Sequence, residues 1–237
     1  VYDLYWSTFG GGEQVAGAIA QALATEHEVT VPGQERIDVD DALERLGVDL
    51  SRCSFRTALD DVDASQASAD FDLFVNVTYL SRAVNRSAEG WYYVHFPGVP
   101  PSRGARARQC VSRAAVRALA VPPRLPDRLV PVHAGFDRRI ERTHHLGTYR
   151  RYLANSAFTA DWVQRLWGVP AEVVHPPVRM EVGPGAKEHI ILNVGRFFDP
   201  HYGHCKKQLE LIEALAGASL ADWRLVLAGG CDSLNRD

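Results

Sequence analysis

Residues 189–214, HIILNVGRFFDPHYGHCKKQLELIEA, constrain the fold of this chain more than any other stretch. Ile190, Ile191, Leu192 and Val194 make a short apolar run closed by Gly195, the pattern of a parallel strand covered on both faces. A polar loop follows, and the residues from Lys206 onward read as a helix. Arg196 stands where the strand gives way to the loop, and Lys206 and Lys207 stand where the helix begins. Ligands of open α/β sheets gather beyond the carboxyl ends of the strands, and a helix N-terminus adds unpaired N–H groups and a partial positive charge. Arg196 can clamp phosphate oxygens through two parallel hydrogen bonds, and Lys206 or Lys207 can act as a point charge. The same residue types also suit an ordinary solvated helix end.

The rest of the chain repeats the alternation of strand and helix. Residues 1–6 (VYDLYW) read as a first strand, 7–12 (STFGGG) as a turn, 13–24 as a helix and 27–31 as the next strand. Val15, Ala16, Ile19, Ala20 and Leu23 fall on one stripe of that helix. Strand, glycine turn, helix and strand make a βαβ unit, whose glycines let backbone N–H groups face an anion. A plain tight turn explains the glycines equally, and their spacing is not the G-x-G-x-x-G of a dinucleotide site. Residues 32–69 offer a short helix at 40–46 and no chemistry, with Asp60, Asp61 and Asp63 read as a solvated acidic edge. They lack the further oxygen ligands of a calcium loop.

Two more strands are expected at 71–77 and 90–96, the second leaving His95 at its carboxyl end, on the ligand side. Residues 152–178 give a strand ending at Leu153-Ala154, then a helix carrying Phe158, Trp162, Val163 and Leu166. Asn155 or Ser156 can cap that helix and Gly168 stops it. A strand at 171–175 ends at Pro176-Pro177, and residues 223–228 form another before Gly229-Gly230. The fold class expected is α/β and doubly wound.

A net charge of −3 over 237 residues argues against a general nucleic-acid binder. Cys53, Cys110, Cys205 and Cys231 are scattered without a C-x-x-C pair, which suits reduced thiols in a cytoplasmic protein. No apolar run is long enough to span a bilayer. The only methionine is Met180, so the chain is expected to be cut from a longer one. Six arginines and no acid lie between Gly98 and Pro126. On a helix Arg103, Arg106, Arg113 and Arg117 share one face, opposite a face that is mostly alanine. That face is either solvated or a peripheral contact with an anionic membrane or a phosphorylated lipid. Adjacent histidines (His144, His145) and the loop group His201, His204 and Cys205 do not make a metal site by spacing, so no metal is expected.

Taken together, the GGGE turn at 10–13, HFPG at 95–98, ANSAFT at 154–159, HPPV at 175–178, and GRFF followed by KKQ resemble family 4 retaining glycosyltransferases of the GT-B fold. The resemblance implies two Rossmann-like doubly wound domains facing each other across a cleft. Residues 1–178 would be the acceptor-side domain, 179–188 the linker, and 189–237 the incomplete start of the nucleotide-sugar domain. It implies transfer of a sugar from a nucleotide-diphosphate sugar to a glycan or lipid-linked acceptor with retained configuration and no obligatory metal or cofactor. Arg196 and Lys206 would hold the diphosphate, with Lys207 standing where the family usually has Gly. His95 would lie near the donor sugar; Gly11, Gly12, Gly195, Gly229 and Gly230 would line the donor site. Glu13, Asn76, Tyr79, Asn155 and Ser156 would face the acceptor side. The family's Glu-x7-Glu motif is not in this sequence, so the chain alone is expected to be a poor catalyst. A non-catalytic nucleotide- or phosphosugar-binding module of the same fold is the alternative.

Overall fold

The computed structural model describes residues 1–98, 145–178, 183, 185–197, 206–218, 220 and 222–230. The chain divides into two compact units, Val1–Arg179 and Met180–Asp237. The arginine-rich stretch with Arg103, Arg106, Arg113 and Arg117, and the His201, His204 and Cys205 loop, lie outside the described residues.

In the first unit the elements are α1 (Gly11–Leu23), β1 (Val29–Gly33), α2 (Val39–Leu46), β2 (Cys53–Thr57), α3 (Asp61–Ala67), β3 (Leu73–Asn76), β4 (Glu89–Val94), β5 (Arg151–Ala154), α4 (Ala157–Trp167) and β6 (Glu172–Val173). Strands β1 and β2 pair in parallel, and β3, β4, β5 and β6 form a second parallel ladder in that order. The extended segment around Tyr2 joins them. Tyr2 N–H donates to Val75 O (2.8 Å) and Val77 N–H to Tyr2 O (2.9 Å), while Val1 N donates to Thr30 O (2.8 Å). Counting that segment as the first strand, the spatial order is third, second, first, fourth, fifth, sixth and seventh. This is the order of a Rossmann-like sheet, with chain running outward in both directions from the middle.

Period-two alternation explains why both faces are covered. Phe74, Tyr92 and Val94 point to one side and join Tyr2, Ala64, Tyr149 and Val163 in one core. Val75 and Tyr93 point to the other and join Val15, Ala16, Ala20, Val31, Leu46 and Val48. The apolar stripe expected on α1 is therefore buried against the sheet. Local chemistry sets the helix ends: Asp38 and Asp60 cap α2 and α3 through backbone N–H groups two and three residues on, and Gly47 and Gly168 close α2 and α4 with positive φ.

Several boundaries differ from expectation. Gly11 and Gly12 belong to α1 rather than to a turn, and Trp6 opens a short 3-10 turn, Trp6–Thr8, instead of continuing a strand. Within 32–69 lie β2 and α3, which alternation did not reveal because β2 sits at the sheet edge with Ser54, Arg56 and Thr57 exposed. The solvated acidic edge is also corrected. Asp61 accepts from Tyr2 Oη (3.1 Å), Ser81 Oγ (2.6 Å) and Arg82 N (2.7 Å), so it ties α3 to the loop after β3.

The second unit contains β7 (Ile190–Val194), α5 (Gln208–Ala216) and β8 (Arg224–Ala228), with β7 and β8 in parallel register. The expectation of a strand covered on both faces does not hold among the described residues. Leu192 and Val194 are 60% and 74% exposed, and no residue of α5 is buried. Two strands and one helix can cover only the face carrying Ile191 and Asn193.

Candidate functional site

The middle of the first unit's sheet is the place where chain direction divides, and sheets of this order bind ligands beyond the carboxyl ends of the strands at that point. The Tyr2 segment delivers Asp3, β3 delivers Thr78 and Tyr79, β4 delivers His95, and α1 begins at Gly11. Thr78 Oγ1 accepts from Leu4 N (2.9 Å), which locks the two strand ends together. A side chain started on Gly12 would meet His95 Nε2 at 3.6 Å and Asp3 Oδ2 at 3.8 Å, so these two groups converge over the first turn of α1. At Gly11 the same position is open.

Each expected residue of this unit has a definite role in the geometry. His95 Nε2 donates to Val77 O (2.8 Å), which assigns its proton to Nε2, and its ring lies edge-on to Tyr93 and Tyr79. Burial pushes its pKa below the usual histidine value, opposed by the Val77 carbonyl and by Glu13, which favours the uncharged ring. Tyr79 is half exposed beside it. Glu13 is buried, and its carboxylate accepts from Gly10 N (2.5 Å), capping its own helix. Asn76 is fully buried and donates to Ser81 Oγ (3.0 Å) and Tyr149 Oη (2.9 Å) while accepting from Thr78 N (3.1 Å). Its amide is thus consumed by the fold. Asn155 Nδ2 donates to His95 O (2.8 Å), and Ser156 Oγ accepts from Thr159 N (3.2 Å) to cap α4. Asn155 thus holds the His95 backbone from the end of the neighbouring strand, and Ser156 serves the helix start.

Sequence reasoning missed Asp3. Its carboxyl is 2% exposed, and Oδ1 accepts from Tyr5 N (2.9 Å). Among the described residues Oδ2 has no hydrogen-bond partner. Burial, reinforced by Glu13 and opposed by the Tyr5 N–H, pushes its pKa up to about 7. The available signal was an acid inside the otherwise apolar VYDLYW, since acids are rarely buried without a reason. A cavity of about 760 Å³ lined by Leu23, His27, Thr30, Phe71 and Val75 opens at the opposite, amino-terminal edge of the sheet, away from these groups.

In the second unit the carboxyl ends of β7 and β8 form a smaller locus of their own. Gly195 N donates to Ala228 O (2.9 Å) and Phe197 N to Gly230 O (2.9 Å), so the two strand ends stay paired past the ladder. A Cβ on Gly229 would sit 1.9 Å from Gly195 O, which leaves room only for glycine. Gln208, the first residue of α5, donates through Nε2 to Arg196 O (3.0 Å), tying the loop to the helix start. The stem of Lys206 packs over Gly195, with its Cγ 3.2 Å from where a side chain there would begin. Arg196 is half-buried. Lys207 turns elsewhere: its Nζ pairs with Glu210 (3.3 Å), and its backbone is left-handed at φ 58°. The residue before α5, Lys207, gives the helix no side-chain cap.

Among the described residues no group of three or more His, Cys, Asp or Glu is placed to hold a metal ion, and no helix is long and apolar enough to cross a membrane. Comparison with known proteins finds no matching family model, no matching curated protein and no matching solved structure.

Proposed function

We propose that this chain is part of a retaining glycosyltransferase of the GT-B class, which moves a sugar from a nucleotide-diphosphate sugar to a hydroxyl acceptor. The observation that carries the reading is the locus at the ends of β7 and β8. There Arg196 and Lys206 flank Gly195 and Gly229 at an uncapped helix start, in the order that the sequence resemblance assigns to the donor's diphosphate. The Rossmann-like strand order of the first unit supports the same reading.

In this assignment Arg196 binds two oxygens of the departing diphosphate and Lys206 offsets the charge that grows as the glycosidic bond breaks. Preorganised cations at such a point stabilise the transition state more than the ground state. Lys206 is favoured over Lys207 because the latter is held by Glu210. The first unit supplies the acceptor side, with neutral His95 fixed by Val77 and Asn155 as a donor or acceptor of hydrogen bonds rather than a cation.

A screen of nucleotide-diphosphate sugars for thermal stabilisation of the full-length protein identifies the donor. With that donor, Arg196→Ala is expected to lower turnover by about 10²–10³-fold, the loss typical of removing one transition-state donor. A folded Arg196→Ala protein that transfers sugar at the normal rate removes the proposal.

A further inference from the structure

The first unit's sheet ends on a weak edge. Its last strand, β6, is two residues long, pairing Leu153 with Glu172 and Ala154 with Val173, and Val173 and Val174 are 41% and 39% exposed. Two ladder positions at a sheet edge hold a departing chain poorly. His175, Pro176 and Pro177 follow, and the two prolines donate no hydrogen bond and fix their own backbone. Two residues outside β6 secure this root of the linker.

Tyr93, wholly buried on β4, reaches past β5 and donates from Oη to Val174 O (2.9 Å). Asn155, just after β5, accepts on its main-chain oxygen from His175 Nδ1 (3.2 Å). A carbonyl can only accept, so this contact assigns a proton of His175 to Nδ1. Both residues also hold His95. Tyr93 and His95 lie two positions apart on one face of the extended chain, and their rings meet edge-on with centroids 5.3 Å apart. Asn155 Nδ2 donates to the His95 carbonyl (2.8 Å). The root is thus joined to His95 twice, through the Tyr93 ring to the imidazole and through Asn155 to the backbone.

We propose that Tyr93 and Asn155 are positioning residues that couple His95 to the point where the chain leaves the sheet, so that displacement of Val174 and His175 displaces the imidazole. The coupling follows from packing, because side chains at interior density pass a shift from one neighbour to the next. If Val174 O moves away, the buried Tyr93 hydroxyl loses its acceptor unless the ring follows. The bond from His95 Nε2 to Val77 O (2.8 Å) then acts as a pivot, holding one ring nitrogen while the side against Tyr93 moves. Pro176 and Pro177 add to the effect, since a stiff pair hands on a displacement that a flexible tether would absorb. That His95 serves an acceptor rests on the transferase reading, but the coupling does not.

The test uses the full chain labelled at histidine Cε1 and read by NMR at one fixed pH, with no nucleotide sugar present. His95→Gln identifies the His95 resonance among the nine histidines. His175→Ala, one link removed from His95, is expected to shift that resonance by more than its linewidth. His175→Asn, whose amide N–H can stand in for Nδ1–H, is expected to restore its natural position. Tyr93→Phe keeps the ring, loses only the hydroxyl and is expected to shift the resonance as well. His27, at the opposite edge of the sheet, is expected to stay in place in all three variants. The proposal is overturned by a His95 resonance that stays put in either His175→Ala or Tyr93→Phe, or that moves as far in His175→Asn as in His175→Ala. A shift shared by His27 overturns it too, since that reports general loosening of the fold. Loss of sugar transfer in a separate assay bears on the transferase reading alone.

Discussion

Replacing Asp3 with Asn should stabilise the protein, and by an amount that depends on pH. The carboxyl is almost wholly buried, and burial raises its pKa from the ordinary 3.8 to about 7. Between those two values the folded chain holds a proton that the unfolded chain has lost, so stability falls as pH rises through that window and levels off above it. The full shift corresponds to about 4 kcal/mol of stability lost at pH 8, of which about 2.5 kcal/mol accrues between pH 5 and pH 8. Asn keeps the size of the side chain and the acceptor for Tyr5 N, and it does not titrate. His95 has the opposite sense, since its lowered pKa costs stability as pH falls through the unfolded value. That slope is common to both proteins and cancels in their difference. Urea unfolding followed by tryptophan fluorescence suits the measurement, because Trp6 is buried in the core beside this segment. The free-energy gap between Asp3→Asn and the natural protein should widen by about 2.5 kcal/mol from pH 5 to pH 8 and then stay flat. A gap that is constant from pH 5 to pH 9 would refute a near-neutral titration of Asp3.

Lys207 is expected to be more stable as glycine, because its φ of 58° is strained for any residue with a Cβ. Lys207→Gly should gain about 1 kcal/mol in slowed amide exchange of α5 and Lys207→Ala nothing, the exposed pair with Glu210 being a minor loss. Asp61→Ala should cost about 2–3 kcal/mol in chemical denaturation, since it strands Tyr2 Oη, Ser81 Oγ and Arg82 N. Asp61→Asn recovering most of that stability would show that the acceptor matters more than the charge.

The elements were legible in the sequence where the local signal is strong. The apolar runs at Ile190–Val194 and Arg224–Ala228, the stripe on α1 and the Ser156 cap with its Gly168 stop all arise from neighbouring residues and recur in the structure. The approach of the Lys206 stem to Gly195 follows from the same local order, because a strand, a loop and a helix start bring near neighbours to one end. Strand β2 was not, since an edge strand shows too little apolar alternation. Tertiary structure alone decided which polar residues the fold consumes and which it leaves open. Asn76 looked available at a strand end but is consumed by Ser81, Thr78 and Tyr149, the last 73 residues away. Asp3 lies inside a strand-like run, and only the approach of α1 and His95 buries it and brings one oxygen near Gly12. Secondary structure answers to residues a few positions apart, whereas burial, and with it the charge a group carries, answers to whatever the fold brings alongside.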